Sequence, residues 1–147
     1  MVIVTDTSVL VAAFIREHRH YDSSILLLTK IREGRFKALI AAHSLFEFYA
    51  TLTAIPRPSQ VMPSQVQEVM KKDILPFFEN VFLEWVDHQR AIDRTAEKTL
   101  RSGAIYDSLI FQSALKVRAS KLVTWNVKDF SRLSSGEIEI VTPEGLG

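Results

Sequence analysis

The chain has 147 residues, of which 47% are hydrophobic and 24% charged, a composition typical of one globular domain rather than of a disordered or membrane-embedded protein. The formal net charge of +1 provides no strong global field for nucleic acid, and the absence of cysteine excludes disulfides, cysteine-ligated zinc and thiol catalysis. No apolar run approaches the ~18 residues of a membrane span and no basic leader precedes an apolar stretch, so we expect a cytoplasmic protein.

The first predicted strand, residues 2–4, is a β-branched run typical of a strand buried on both faces. It stops at Asp6, and a predicted helix over residues 8–16 follows at once. A carboxylate at this point lies at the carboxyl end of the strand, the edge at which open α/β sheets bind ligands. Asp6 is therefore the first candidate for a functional residue.

The rest of the chain alternates helical with extended patterns. This alternation predicts an α/β fold with a mostly parallel sheet and helices on both faces. No internal repeat or long linker divides the sequence, so we expect one domain over residues 1–147. In chain order we predict a helix at 21–33, a strand at 36–41, a helix at 44–53, a loop at 55–63, a helix at 64–75, a strand at 81–86, helices at 87–101 and 104–119, a strand at 122–124, a turn at 126–130 and a strand at 138–141.

Several polar residues follow strands in this scheme. Glu47 falls at the start of the helix after the second strand, Asp107 opens the helix over 104–119, and Asn126 and Asp129 follow the strand at 122–124. In a parallel sheet these segments gather at one edge, where neighbouring carboxylates repel one another and require a cation. Oxygen ligands of this kind suit Mg²⁺ or Mn²⁺, which can assist hydrolysis of a phosphodiester.

Each acid also has a purely structural interpretation. Asp6 can cap the helix that follows it, and Asp107 and Asp129 can favour the positive end of a helix dipole. Ser44 and Glu47 have the spacing of a capping box, in which the glutamate bonds back to the cap backbone. On residue logic alone both interpretations stay open, and the occurrence of all four acids after strands favours the metal site.

Four blocks of sequence in a fixed order extend this pattern over nearly the whole chain: V-I-V-T-D-T-S-V-L, A-A-H-S-L-F-E-F-Y-A-T-L-T, Y-D-S-L-I-F-Q-S-A-L and L-V-T-W-N-V-K-D-F. Together they resemble the PIN-domain nucleases, and most closely the VapC toxins of bacterial and archaeal toxin–antitoxin pairs. Many members of that family carry aspartate where this chain has Asn126, while others place the acid at the position of Asp129.

The resemblance implies a Rossmann-like sheet and a divalent-metal-dependent endoribonuclease, the toxin of a type II pair, in which a water bound to Mg²⁺ or Mn²⁺ attacks an RNA phosphodiester in line. It also implies a cognate antitoxin as partner and a homodimer. The catalytic and metal-holding residues would be Asp6, Glu47, Asp107 and Asp129, while Thr5, Ser8, Thr124 and Asn126 would orient carboxylates or water. An alternative is a weak or inactive PIN fold that binds RNA or a partner without cleaving.

Three other features of the sequence lie in a charged break, near the candidate acids or on apolar helices. His18 and His20 lie in a charged break, so we expect a solvated loop rather than a metal pair. Tyr106 and Trp125 flank the acids, where stacking on a base and packing at the rim are both open. The apolar patterns of residues 21–33 and 44–53 exceed what a small sheet needs, which suggests an antitoxin groove or a dimer interface beside the ordinary core interpretation.

Overall fold

The computed structural model describes residues 1–146, and within them the strands form one five-stranded parallel sheet. The strand order is β3-β2-β1-β4-β5, so the first strand lies at the centre. The predicted parallel α/β architecture is confirmed. The strands are β1 (Val2–Thr5), β2 (Lys37–Ala41), β3 (Glu79–Val81), β4 (Lys121–Val123) and β5 (Glu139–Val141).

Helices cover both faces of the sheet because β1 is apolar on both sides. Ile3 packs into one hydrophobic cluster and Val4 into the other, as expected where successive side chains point to opposite faces. The helices are α1 (Thr7–Phe14), α2 (Tyr21–Arg32), α3 (Ala42–Thr53), α4 (Pro63–Val69, continued by a π-helical turn at Met70–Ile74), α5 (Trp85–Glu97), α6 (Ala104–Lys116) and α7 (Val127–Leu133), and a short 3₁₀ helix spans Pro143–Leu146.

The predicted capping box at the start of α3 is wrong. The helix begins at Ala42, directly after β2, so Ser44 lies inside the first turn and is fully buried. Among residues 1–146 the Ser44 hydroxyl has no hydrogen-bond partner. Glu47 consequently lies in the second turn of α3, where its carboxylate is available for contacts with other segments.

The third strand was predicted too late in the chain. The strand ends at Val81 and α5 begins at Trp85, whereas the sequence predicts a strand that extends to residue 86. Asp87 explains the difference, because its Oδ2 accepts the backbone N–H of Glu84 at 2.9 Å and so favours the start of a helix. The segment predicted as a turn at 126–130 also differs, because it belongs to the longer helix α7, which extends to Leu133.

No helix within residues 1–146 combines the length and the apolar character needed to cross a membrane.

Candidate active site

A cleft of about 370 Å³ opens at the carboxyl edge of the sheet, around the end of β1. Three of the four predicted acids line it, because the end of β1, the second turn of α3 and the first turn of α6 meet there. These acids are Asp6, Glu47 and Asp107. The topology therefore brings residues 101 positions apart in sequence into one small volume.

Two hydroxyl groups hold the carboxylate of Asp6, which is 3% exposed. Ser8 Oγ and Thr124 Oγ1 each donate to Asp6 Oδ2 at 2.7 Å. The same hydroxyl oxygens accept backbone N–H groups, Ser8 from Trp125 at 3.1 Å and Thr124 from Asn126 at 2.9 Å. Asp6 is thus fixed by the loop after β4 as well as by its own helix.

Burial raises the pKa of Asp6, and the hydrogen bonds from Ser8 and Thr124 offset only part of that shift. The two hydroxyls therefore favour the ionised form of Asp6, whereas burial favours the protonated form. Of the predicted orienting residues, Ser8 and Thr124 make these contacts.

Glu47 is half-buried beside Asp6. Its Oε1 accepts the hydroxyl of Thr7 at 3.2 Å and lies 3.5 Å from Nε2 of His43, one turn earlier on α3. Burial raises the pKa of Glu47, the neighbouring His43 lowers it, and the charge of Asp6 raises it again. Glu47 therefore shares the field of Asp6 and does not cap its own helix.

Asp107 has a strongly perturbed carboxyl group. Burial, followed by the negative charges of Asp6, Asp129 and Glu47, raises its pKa to about 7. A carboxyl group that titrates near neutral pH shows that the negative charge of this cleft is poorly compensated by the protein itself.

The last motif places its two polar residues differently. Asn126 lines the cleft, whereas Asp129 lies outside its lining within the described part of the chain. The Asp129 side chain is half-exposed, and its Oδ1 lies 3.4 Å from Nη2 of Arg132. Its charge still raises the pKa of Asp107, so Asp129 acts on the cleft from the rim.

Thr5, by contrast, makes no hydrogen bond to the acids. Its side chain is 1% exposed, and within residues 1–146 its hydroxyl has no hydrogen-bond partner. The orienting role expected for Thr5 stays a prediction.

His18 and His20 lie in the loop between α1 and α2, as the sequence predicts, but this loop forms one side of the cleft. Both imidazoles and the intervening Arg19 line the cleft, and the ring of His20 stacks on Trp125 at 3.7 Å between centroids. The contact joins residues 105 positions apart, so no local periodicity signals it. The only available signal was the unusual H-R-H composition itself.

The donor set of the cleft fits a hydrated divalent cation. Carboxylate, hydroxyl and amide oxygens are the ligands that Mg²⁺ and Mn²⁺ prefer, and a cation among the acids would relieve the repulsion that raises the pKa of Asp107. Within residues 1–146 no three acidic or histidine side chains converge tightly enough to hold a metal by themselves. Mg²⁺ does not require that, since it usually keeps several waters and takes one or two carboxylates.

Comparisons with known proteins agree with this fold. The family model described as a PIN domain matches residues 2–128, so the chain belongs to the PIN-domain family. It is similar to ribonuclease VapC40 of Mycobacterium tuberculosis, with 29% identity over 143 residues that cover 95% of this chain and 99% of the relative.

Two solved structures share the architecture at low sequence identity, and they support the fold alone. One is VapBC2 from Rickettsia felis bound to a DNA fragment from their promoter, with a TM-score of 0.65, 19% identity, and coverage of 95% of this chain and 97% of the other. The second is VapC20 of Mycobacterium tuberculosis, a toxin that cleaves the sarcin-ricin loop, with a TM-score of 0.65, 13% identity, and coverage of 88% and 93%.

Proposed function

We propose that this chain is a divalent-metal-dependent endoribonuclease and the toxin of a type II toxin–antitoxin pair, with residues 1–147 forming one nuclease domain. The observation that carries the proposal is the convergence of Asp6, Glu47 and Asp107 in the cleft at the carboxyl edge of a PIN-domain sheet. The similarity to a ribonuclease over nearly the full chain supports the same activity.

Asp6, Glu47 and Asp107 would hold Mg²⁺ or Mn²⁺, directly or through water. When bound, the cation activates a water and neutralises charge on the phosphate. Ser8 and Thr124 hold the carboxylate of Asp6 at the cleft and favour its ionised form, and Thr7 donates to Glu47. Asp107 must lose its proton to join the set, so cation binding weakens as the pH falls below about 7.

For the fourth position we propose a division of roles between Asn126 and Asp129. Asn126 lines the cleft and offers a side-chain oxygen toward the cation or its waters. Asp129, the fourth acid of the predicted set, strengthens the negative field from the rim. The absence of a fourth acid in the lining within residues 1–146 favours one cation over two.

We propose that the chain binds an antitoxin and forms a homodimer, and that the exposed aromatic face of the molecule provides these contacts. Phe46 on α3 is 74% exposed, and Phe82 and Trp85, before and at the start of α5, are each 69% exposed. Phe46 and Phe82 line a mainly apolar cleft of about 270 Å³ between α3 and α6. Exposed aromatic side chains around such a cleft are typical of protein interfaces.

The nuclease proposal is tested by cleavage of total and transfer RNA with purified protein freed of any copurifying partner. We expect cuts with Mg²⁺ or Mn²⁺, none in EDTA, and none with Asp107→Asn. Asp93→Asn, a change of an exposed acid on α5, is the matched control and should cleave like wild type. Cleavage that persists in EDTA would contradict the metal mechanism. A folded, metal-loaded protein without any cuts would favour the binding module instead.

A further inference from the structure

One wall of the acidic cleft is built from residues that the proposed chemistry does not use. His18, Arg19, His20 and Trp125 face the same space as Asp6 and Asp107. We call His20 and Trp125, with Arg19 beside them, the stacking wall. Its position next to the acids makes it a candidate surface for the part of the substrate that surrounds the scissile phosphate.

The stacking wall is held in place before any ligand arrives. The rings of His20 and Trp125 are nearly parallel, with an interplanar angle of 5°. The indole N–H of Trp125 donates to the buried Ser24 hydroxyl at 2.8 Å, and its backbone N–H donates to Ser8 Oγ, the group that also bonds Asp6. Ser8 therefore fixes the position of the aromatic pair relative to the Asp6 carboxylate at the centre of the cleft.

The loop that carries His20 is also ordered locally. The backbone N–H of His20 donates to Nδ1 of His18 at 3.0 Å, and Arg19 Nε donates to Nε2 of His20 at 3.1 Å. That second bond requires a neutral His20 ring with its proton on the other nitrogen. A neutral, flat ring stacked on an indole presents an aromatic surface rather than a second charge.

Arg19 supplies the positive charge of this surface. It is the only lysine or arginine that lines the cleft within residues 1–146, and its side chain is exposed. A phosphodiester that approaches three carboxylates is repelled unless a cation compensates, and a guanidinium is well suited to phosphate oxygens. The cleft volume of about 370 Å³ falls in the range of sites that hold one small molecule, about 300–1,000 Å³.

We propose that the stacking wall binds one unpaired nucleotide of the RNA substrate beside the acids. The His20–Trp125 pair takes the base by stacking, and Arg19 takes its phosphate. The choice of RNA as ligand rests on the proposed ribonuclease function. Stacking requires a base whose face is free, so the wall selects single-stranded segments or loops over a duplex.

The test measures RNA binding without cleavage, in protein that carries Asp107→Asn and Trp85→Phe. The chain has two tryptophans, so Trp125 becomes the sole indole reporter. We expect a short single-stranded RNA to quench Trp125 fluorescence. His20→Ala should weaken binding about 5- to 100-fold, the range for loss of a stacked base. His20→Phe keeps a flat ring and should retain most of the affinity.

Arg19→Gln tests the phosphate contact. It should weaken binding and reduce the slope of log K against log salt by about 0.7, the share of one phosphate on a single strand. The matched control is Arg35→Gln, an exposed arginine that pairs with Glu33 before β2, at the opposite edge of the sheet. It should change neither the affinity nor the slope. A duplex RNA of the same sequence should bind the His20→Ala protein and its parent equally.

The inference is overturned if His20→Ala and Arg19→Gln bind single-stranded RNA like their parent, or if His20→Ala weakens single-stranded and duplex RNA alike. In the first case the stacking wall does not bind RNA, even when the wild-type protein cleaves RNA, and a protein partner becomes the alternative ligand of this surface. Conversely, the wild-type protein could fail to cleave RNA while its RNA binding depends on His20. That result would support the role of the stacking wall in RNA binding and would refute the proposed nuclease activity. The two failures are therefore distinguishable.

Discussion

Two charged clefts are lined by different sets of residues, and they contain acids in contrasting electrostatic environments. The larger, about 820 Å³, is lined by α5, α6 and the segment after α7, and within residues 1–146 two of the acids in its lining have cationic partners. Asp87 Oδ2 lies 3.0 Å from Lys116 Nζ, and Glu137 Oε1 lies 2.7 Å from Arg94 Nη1. Among residues 1–146, the smaller cleft brings together Asp6, Glu47 and Asp107 with a single arginine, Arg19, in its lining.

The pKa values of Glu137 and Asp107 reflect this difference. Burial alone would raise the pKa of Glu137, but hydrogen bonds from Arg94 and from the backbone N–H of Ser135 lower it to about 2. Burial and neighbouring acids instead raise the pKa of Asp107 to about 7. Uncompensated negative charge, rather than cleft size, therefore distinguishes the candidate active site. In the larger cleft, two ion pairs instead join α5 to α6 and to the segment after α7.

The largest expected effect is on activity, and a matched pair of glutamates measures it. Glu47→Gln should reduce metal-dependent RNA cleavage by about 100-fold or more, because it removes a charge that would hold the cation. Glu137→Gln removes a charge of the same kind from the paired cleft and should leave the rate close to wild type. Initial rates at saturating Mn²⁺ measure both variants. Equal losses would refute the distinction between the two clefts.

A smaller loss of activity is expected when the support of Asp6 is removed. Thr124→Val deletes the hydroxyl that donates to Asp6 and accepts from Asn126, and should cost about 10- to 100-fold in cleavage rate or metal affinity. Thr124→Ser keeps the hydroxyl and should restore most of it. Thr95→Val changes a buried threonine whose hydroxyl bonds Ala91 within α5, and serves as the control for packing. Titration with Mn²⁺ followed by rate measurement distinguishes affinity from turnover.

Disrupting the paired cleft should cost stability rather than activity. Asp87→Asn removes the ion pair with Lys116 and weakens the start of α5, which together should lower the free energy of unfolding by about 2–3 kcal/mol. Urea denaturation measures the loss. An unchanged midpoint would mean that the Asp87–Lys116 pair contributes nothing net.

The smallest effects have opposite pH dependences in the two clefts. In EDTA, Asp107→Asn should be more stable than wild type by about 1 kcal/mol at pH 8, because it removes a destabilising charge from a partly solvated group. Wild-type Asp107 has a folded pKa of about 7 against 3.8 for the unperturbed group. The penalty is therefore absent below pH ~3.8, grows between these two values and is complete above about 7.

Glu137 behaves in the reverse sense. Its pKa is lowered from 4.5 to about 2, so its contribution is present above pH ~4.5 and is lost as the pH falls toward 2. Glu137→Gln should therefore be less stable than wild type at pH 8, by no more than about 1 kcal/mol for a partly exposed pair, and similar to it near pH 2. Urea denaturation between pH 2 and 8 follows both variants. Parallel pH profiles for the two substitutions would contradict the opposite electrostatics of the clefts.

Much of the fold was predictable because β1 is apolar on both faces and strands alternate with helices along the chain. The approach of Asp6, Glu47 and Asp107 followed from the same logic, since each comes just after a strand or opens a helix at the carboxyl edge. The start of α3 was not predictable in this way, because Ser44 and Glu47 fit a capping box that tertiary contacts override.

The role of residues 18–20 was out of reach for a related reason. Their environment depends on Trp125, and no local pattern links positions so far apart. Asn126 and Asp129 show the same limit, because spacing alone did not reveal which of the two lines the cleft.

The hydrogen bond between Thr124 and Asp6 has a consequence for the time at which activity can appear. It joins positions 118 residues apart, and the central strand β1 pairs with β4 only when both are present. A chain still emerging from the ribosome therefore carries its first acid long before it carries the residue that orients it. Synthesis must pass β4 before the cleft is complete, so truncated translation products and amino-terminal fragments would lack a finished active site.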